Sequence, residues 1–316
     1  MKILLLGSTG LLGNSLATIL LQSNKHSIQM PSRDELDVSN SSILAKYLSE
    51  NKPDIILNCA ARVGGLYSQI NQPARYLHDN ILLIDSLYEA TRMASSNTHI
   101  ISFLSTCCFP VNVDYPITPS QLHNGSPHYT NSSYSYAKRM SDVYAQAYYR
   151  ECGITSTIFI LGNLFGKNDH FHDPQNAHVI PALIVKAHAA VESGQNSLEI
   201  FGDGSPLREF LFADDAAKCI SLFLDTLGRD QEPELLLFSN PREVSIFDLA
   251  SLIARIASPD TPLAIKKTTV ESQGQNKKPS QTSAKLTRLF KPEMFTPLEE
   301  ALRQVYTVYV GSYSSS

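Results

Sequence analysis

Residues 2–13 read Lys-Ile-Leu-Leu-Leu-Gly-Ser-Thr-Gly-Leu-Leu-Gly, an apolar run closed by Gly7-x-x-Gly10-x-x-Gly13. Few short patterns restrict a chain more. An apolar run with no polar alternation needs cover on both faces, and a central parallel strand has it. Glycines spaced by three then permit a tight turn, let a pyrophosphate approach the backbone, and let the next helix pack close to the strand. That helix is written in residues 10–22, apolar at helical spacing. Its N-terminus would offer N–H donors and the positive end of a dipole to phosphate. Gly7, Ser8, Thr9, Gly10, Leu11, Leu12 and Gly13 are therefore candidate dinucleotide contacts. The same letters also suit a glycine turn without a ligand, so the rest of the chain must decide.

Strand and helix patterns go on alternating. Residues 26–32 form a short strand candidate, and 41–51 an amphipathic helix opened by serine caps. Residues 54–61 read as a buried strand, 69–96 as largely helical and 99–105 as a fourth strand. A long helix ends near Gly153, and residues 155–166 give a fifth strand with its exit loop. This order predicts an α/β fold, a Rossmann-type doubly wound parallel sheet. Beyond Gly166 the pattern loosens into a polar loop at 167–178, helices at 179–194 and 213–228, a short strand at 197–202 and a polar stretch at 268–283. We expect a dinucleotide-binding domain over residues 1–165. Residues 166–316 should be mainly a smaller mixed α/β substrate lobe, with a segment near 205–227 returning to the first domain.

Bulk properties narrow the class. The chain has 316 residues, more than one small core holds. Its net charge of −4 argues against a nucleic-acid coat or a polybasic membrane anchor. No apolar run reaches the length of a membrane span, and the opening residues lack a signal peptide's cleavage site. The 5 cysteines show no CxxC and no metal-ligand spacing, and their odd number argues against a full disulfide framework. Reduced thiols and a cytoplasmic location follow as expectations.

Three further features carry chemistry. Arg33 lies just past the second strand, where a cation suits the 2′-phosphate of NADP, although Asp34 and Glu35 adjoin it. Asp37, followed by Val38, fits either an adenine contact or a turn acid. Ser105 closes the fourth strand on the ligand edge of such a sheet. Residues 132–140 then place Tyr134 and Tyr136 ahead of Lys138. On a helix the i,i+4 pair shares a face, so Tyr134 neighbours Lys138 and Tyr136 points elsewhere. An adjacent ammonium favours a phenolate, which predicts an acidified Tyr134 hydroxyl. A plain helix with half-buried tyrosines fits these residues too.

Taken in order, the glycine triplet, Ser105 and Tyr134-x-x-x-Lys138 resemble the extended short-chain dehydrogenase/reductases. These use a Ser–Tyr–Lys set with a nicotinamide cofactor. Residues 58–73, 104–110, 115–128, 134–140, 163–171, 178–184 and 201–210 resemble a branch that epimerises a GDP-bound 4-keto-6-deoxy sugar at C3 and C5 and reduces C4 with NADPH. The resemblance implies that Tyr134 gives a proton to O4, that Lys138 holds the nicotinamide ribose, and that Ser105 polarises the ketone. It places the epimerising pair on Cys107 and His178. It adds Ala60, Asn163, Leu164 and His178 to the cofactor groove, and Lys186, Phe201, Arg208 and Lys278 to the nucleotide-sugar grip. It also implies a homodimer built on two long helices. Departures fall in the nucleotide shell: Phe201 stands where tryptophan is usual, Lys186 where arginine is common, and Gln273 where an aspartate is expected. A reductase or epimerase of another deoxysugar, such as a colitose-type enzyme, fits the same catalytic set. A non-catalytic cofactor-sensing protein would more often lose the tyrosine or the lysine.

Overall fold

The computed structural model describes residues 1–172, 177–228, 232–269 and 279–313. The opening run is β1 (Lys2–Leu6), and Gly10 caps α1 (Leu11–Ser23). The next units are β2 (Ser27–Gln29), α2 (Ser41–Asn51) and β3 (Ile55–Asn58). After them come α3 (Leu66–Asn71), α4 (Pro73–Met93), β4 (His99–Ser105), α5 (Ser132–Cys152) and β5 (Ser156–Leu161). The cap of α2 is Asn40 rather than a serine; its side chain accepts from the N–H groups of Ser42 and Ile43, both at 3.1 Å. Gly153 ends α5 in the left-handed conformation, φ 71°.

The second half supplies β6 (Asn163–Phe165), α6 (Val179–Glu192), β7 (Ser197–Ile200), β8 (Leu207–Phe212) and α7 (Ala213–Leu224). It ends with β9 (Glu234–Phe238), β10 (Glu243–Ser245), α8 (Ile246–Ala257), β11 (Ala264–Lys267), α9 (Ala284–Leu289) and α10 (Leu298–Tyr313). The central sheet runs β2-β1-β3-β4-β5-β9, every pair parallel. That is the expected doubly wound fold. Side chains alternate along β1: Leu4 and Leu6 join α2, α4 and α5 on one face, Ile3 and Leu5 join α1, α7 and α9 on the other. The order in which strands are added reverses at β1, with β2 on one side and β3 on the other, so a crevice opens at the C-terminal ends of these parallel strands.

Two small sheets, β10-β8-β6 and β11-β7, pack with α6, α8 and α10 around a separate core of Phe165, Ile184, Phe212, Ile253 and Val305. The loop after β6 ties this lobe to the glycine turn. Asn168 Nδ2 donates to the Thr9 carbonyl at 2.8 Å, and Lys167 pairs with Asp214 at 2.8 Å. Asp214 also accepts from Ser15 on α1 at 2.7 Å.

At the N-terminal end of β4, in the interior of the sheet, His99 is buried between the hydroxyls of Thr155, at 2.8 Å, and Thr157, at 3.0 Å. Burial pulls its pKa from 6.5 to about 4. The unfolded chain therefore binds a proton that the folded chain refuses between those values, and stability falls as pH drops through that window. The expected loss is about 3 kcal/mol. Urea melts at pH 7 and pH 4 should show it, and His99→Gln should flatten the dependence. Equal pH slopes for the two proteins would refute this.

Candidate active site

The crevice is a cavity of about 960 Å³, at the upper end of the ~300–1,000 Å³ usual for ligand sites. Its floor is the glycine turn. Gly7 has φ +74°, and a Cβ there would lie 2.7 Å from the Ala60 nitrogen; a Cβ on Gly13 would lie 2.0 Å from the Gly7 carbonyl oxygen. Side chains are thus excluded where α1 meets the strand ends, leaving bare backbone along Ser8 to Leu12 on the cavity wall. Ala60, Asn163 and Leu164 also line it. Beyond β2, Arg33, Asp37 and Val38 face the cavity, whereas Asp34 and Glu35 do not. Glu35 instead accepts from the Ser32 N–H at 2.8 Å. The cation, not its acidic neighbours, is presented to a ligand.

Deeper in, Ser105, Cys107, Tyr134, Lys138 and His178 converge on the same cavity from β4, the turn after it, α5 and the start of α6. Ser105 Oγ accepts from the Cys107 N–H at 3.3 Å, which orients a short turn over residues 106–108. Arg139 fixes that turn from behind: it is buried, and Nε donates to the Cys108 carbonyl at 2.7 Å while Nη1 donates to Gly125 O at 2.7 Å. Tyr134 is buried edge-on against Tyr76, with ring centroids 6.3 Å apart. Tyr136 is 46% exposed, donates to Ser126 Oγ at 3.1 Å, and stays off the cavity wall.

The electrostatics differ from the sequence expectation at one point. Burial, with further contributions from Cys107, Cys108 and Tyr76, pushes the Tyr134 hydroxyl well up rather than down. Lys138 is itself buried, and desolvation lowers its pKa. The resting phenol therefore holds its proton. Cys108, behind Cys107, is also pushed well up, by its hydrogen bond to Cys107 and by burial. No cysteine is in a disulfide.

Arg208 also lines the cavity. It donates to the Leu207 carbonyl at 2.7 Å, has no ion pair among the described residues, and is lowered by desolvation. Lys186 and Phe201 sit together on the lobe, ammonium 4.5 Å from the ring centre, but off the cavity wall; Phe201 is 58% exposed. Lys278 and Gln273 lie outside the described residues. Sequence reasoning overlooked Arg139, although it adjoins Lys138, because a second cation on a helix carries no sign of a buried role. It also overlooked Asp169 and His170, which line the cavity from the loop after β6.

A parallel sheet with a glycine-floored crevice, and a serine, a tyrosine and a lysine meeting in it, defines a nucleotide-cofactor protein of the epimerase and reductase kind. Residues 3–237 match the model of the NAD dependent epimerase/dehydratase family, and the chain belongs to that family. Along its whole length it is similar to the Probable GDP-L-fucose synthase of Drosophila melanogaster, 32% identical over 100% of this chain and 99% of the relative. The GDP-L-fucose synthase of Dictyostelium discoideum is 33% identical over 99% and 97%. The crystal structure of a GDP-L-fucose synthetase from Naegleria fowleri bound to NADP superposes with a TM-score of 0.87 at 29% identity, covering 100% of this chain and 94% of that one.

If Arg33 reads the 2′-phosphate, Arg33→Ala should weaken NADPH binding relative to NADH by the loss of a charged hydrogen bond, about 1.5–3 kcal/mol or roughly ten- to a hundredfold. Titration of each cofactor by nicotinamide fluorescence measures the ratio. An unchanged ratio would assign Arg33 no part in that choice.

Proposed function

We propose that this chain is an NADPH-dependent epimerase-reductase that converts GDP-4-keto-6-deoxy-mannose to GDP-L-fucose. The observation that carries the reading is the convergence of Ser105, Cys107, Tyr134, Lys138 and His178 on one glycine-floored cavity. The names of the relatives, and the NADP bound to the Naegleria protein, support the same substrate and cofactor. The groove fits the cofactor: the excluded Cβ positions at Gly7 and Gly13 leave backbone for a pyrophosphate, and Arg33 faces the cavity beyond β2. When bound, NADPH supplies the hydride that reduces C4.

The residues of the chain do the rest. Ser105 donates a hydrogen bond to the 4-keto oxygen and polarises it, which also acidifies the hydrogens at C3 and C5. Cys107 takes a proton from one face of the carbon, and His178 returns one to the other. Tyr134 then gives O4 its proton, beside the positive charge of Lys138, which also binds the cofactor ribose. Arg208, a desolvated guanidinium without an acid partner among the described residues, is suited to a diphosphate. Lys186, Phe201 and Lys278 complete the grip on the nucleotide.

We also propose a cytoplasmic homodimer joined through α4 and α5, where Val143 remains exposed. Among the described residues no helix is long and apolar enough to cross a membrane. The decisive assay offers the purified protein NADPH and GDP-4-keto-6-deoxy-mannose and follows the nicotinamide absorbance. Consumption with the GDP sugar is expected. A protein inert with it but active on a dTDP 4-keto sugar would overturn the substrate assignment.

A further inference from the structure

Asp169 is an acid in the loop after β6, and nothing in the mechanism above uses it. Its side chain is 2% exposed, yet it lines the catalytic cavity. Oδ1 accepts from the His170 N–H at 2.8 Å and lies 4.0 Å from His178 Nδ1. Oδ2 is buried with no hydrogen-bond partner among the described residues. A buried carboxylate with an idle oxygen is expensive unless a cation faces it. Desolvation pushes the Asp169 carboxyl up, and His178 and then His170 draw it back down.

Other charges on the cavity wall are engaged or of the wrong sign. Asp37 accepts from Ser39 at 2.6 Å, and Asp79 pairs with Arg62 at 3.1 Å. Arg33, Lys138 and Arg208 are cations, and Cys59, Cys107, Tyr134 and His170 complete the titratable groups of the cavity. Asp169 is the carboxylate set against the His178 ring. The start of α6 does not orient that ring: His178 is at the N-cap position but its side chain makes no cap hydrogen bond, and it is 48% exposed.

We propose that Asp169 is a positioning residue for His178, holding the Nδ1 edge of the imidazole so that Nε2 faces the sugar during epimerisation. The inference rests on the epimerase-reductase reading. A neutral imidazole carries its proton on one nitrogen, and the partner of the other edge selects which. A carboxylate beside Nδ1 keeps the proton there, and protonation of Nε2 then makes the imidazolium that can deliver a proton. The step balances: the Cys107 thiolate takes the carbon's proton and the electron pair moves into the enolate at O4. As that pair returns to carbon, the Nε2 proton of the imidazolium restores the C–H bond from the opposite face, leaving a thiol and a neutral imidazole. At 4.0 Å the pair is longer than a hydrogen bond, yet across that distance the charge of the carboxylate already favours a proton on Nδ1 over Nε2 in the resting enzyme.

Two measurements test this. In D2O with the GDP sugar and NADP+, so that no reduction follows, Asp169→Asn should slow deuterium entry at C3 and C5 by about ten- to a hundredfold. That is short of the ~10⁴ seen when a triad aspartate in direct hydrogen bond is lost. In a His178→Gln background the same change should add nothing, since residues acting as one unit are not additive. Equal losses in both backgrounds, or undiminished exchange in Asp169→Asn, would overturn the proposal. The second measurement needs no substrate. Ring-nitrogen NMR of 15N-histidine protein, with His178 identified by its absence in His178→Gln, should show the Nδ1–H tautomer in the wild type and a shift toward Nε2–H in Asp169→Asn. An Nε2–H wild-type ring would overturn the proposal even if the Asn variant failed to fold. A wild type inert toward the sugar but with Nδ1–H on His178 would sink the substrate reading and leave the Asp169 contact standing.

Discussion

Tyr134→Phe will stop ketone reduction while solvent deuterium continues to enter the sugar. Loss of a positioned general acid lowers a rate by about 10²–10⁴, and the C4 oxygen has no other proton source assigned to it. The phenylalanine ring keeps the volume and the edge-on contact with Tyr76, centroids 6.3 Å apart, so stability should hold. Cys107 and His178 stand on other elements and are untouched, so C3 and C5 keep exchanging. Because burial holds the Tyr134 proton on, the enzyme enters the reaction with its acid loaded. Cys107→Ser should give the reverse pattern, slow exchange ahead of reduction. Tyr136→Phe removes one surface hydrogen bond, 3.1 Å to Ser126 Oγ, and should leave both rates within about twofold of wild type. Substantial NADPH consumption by Tyr134→Phe, or a dead Tyr136→Phe enzyme, would show that the wrong phenol had been chosen.

The parts legible in the sequence are those set by short periods. A buried run closed by glycines, a serine at a strand's tip and an i,i+4 Tyr–Lys pair are local patterns, and the chain folds them as local geometry demands. What stayed hidden depends on distant pairing or on dielectric. β9 lies in the central sheet because Thr157 to Leu161 align with Glu234 to Phe238, and no local pattern encodes that partnership. Tyr134 and Lys138 do share a wall, yet the depth of the groove reverses the pKa effect that adjacency alone would bring. Asp169 reads as one more polar loop residue until burial and the nearby imidazole give it a task. Lys186 and Phe201 are brought together as a cation over a ring, off the cavity wall, which only the placement of β7 beside α6 reveals.

The glycine triplet also turns out to be three separate constraints, and Gly13→Ala tests the most severe. In isolation alanine favours a helix over glycine by about 1 kcal/mol, so an unobstructed α1 would gain stability. Here the new Cβ would stand 2.0 Å from the Gly7 carbonyl oxygen and 2.8 Å from its carbon, both backbone atoms that no rotamer change can move. That carbonyl accepts from the Gly10 N–H at 3.1 Å, so shifting it opens the turn that faces the cofactor. Overpacking of this kind costs about 1–3 kcal/mol, and displacing a binding loop by about 1 Å can cost a hundredfold in function. The expected result is a lower melting temperature together with NADPH affinity reduced by roughly a hundredfold. Gly10→Ala separates the two effects. Its Cβ would meet the Gly7 oxygen at an ordinary 3.5 Å, and its φ of −77° suits any residue, so the protein should melt like wild type. Only the approach of the pyrophosphate to the backbone should suffer, and cofactor affinity should fall without loss of stability. Wild-type NADPH binding by Gly13→Ala would mean that the crevice floor is not where the dinucleotide lies.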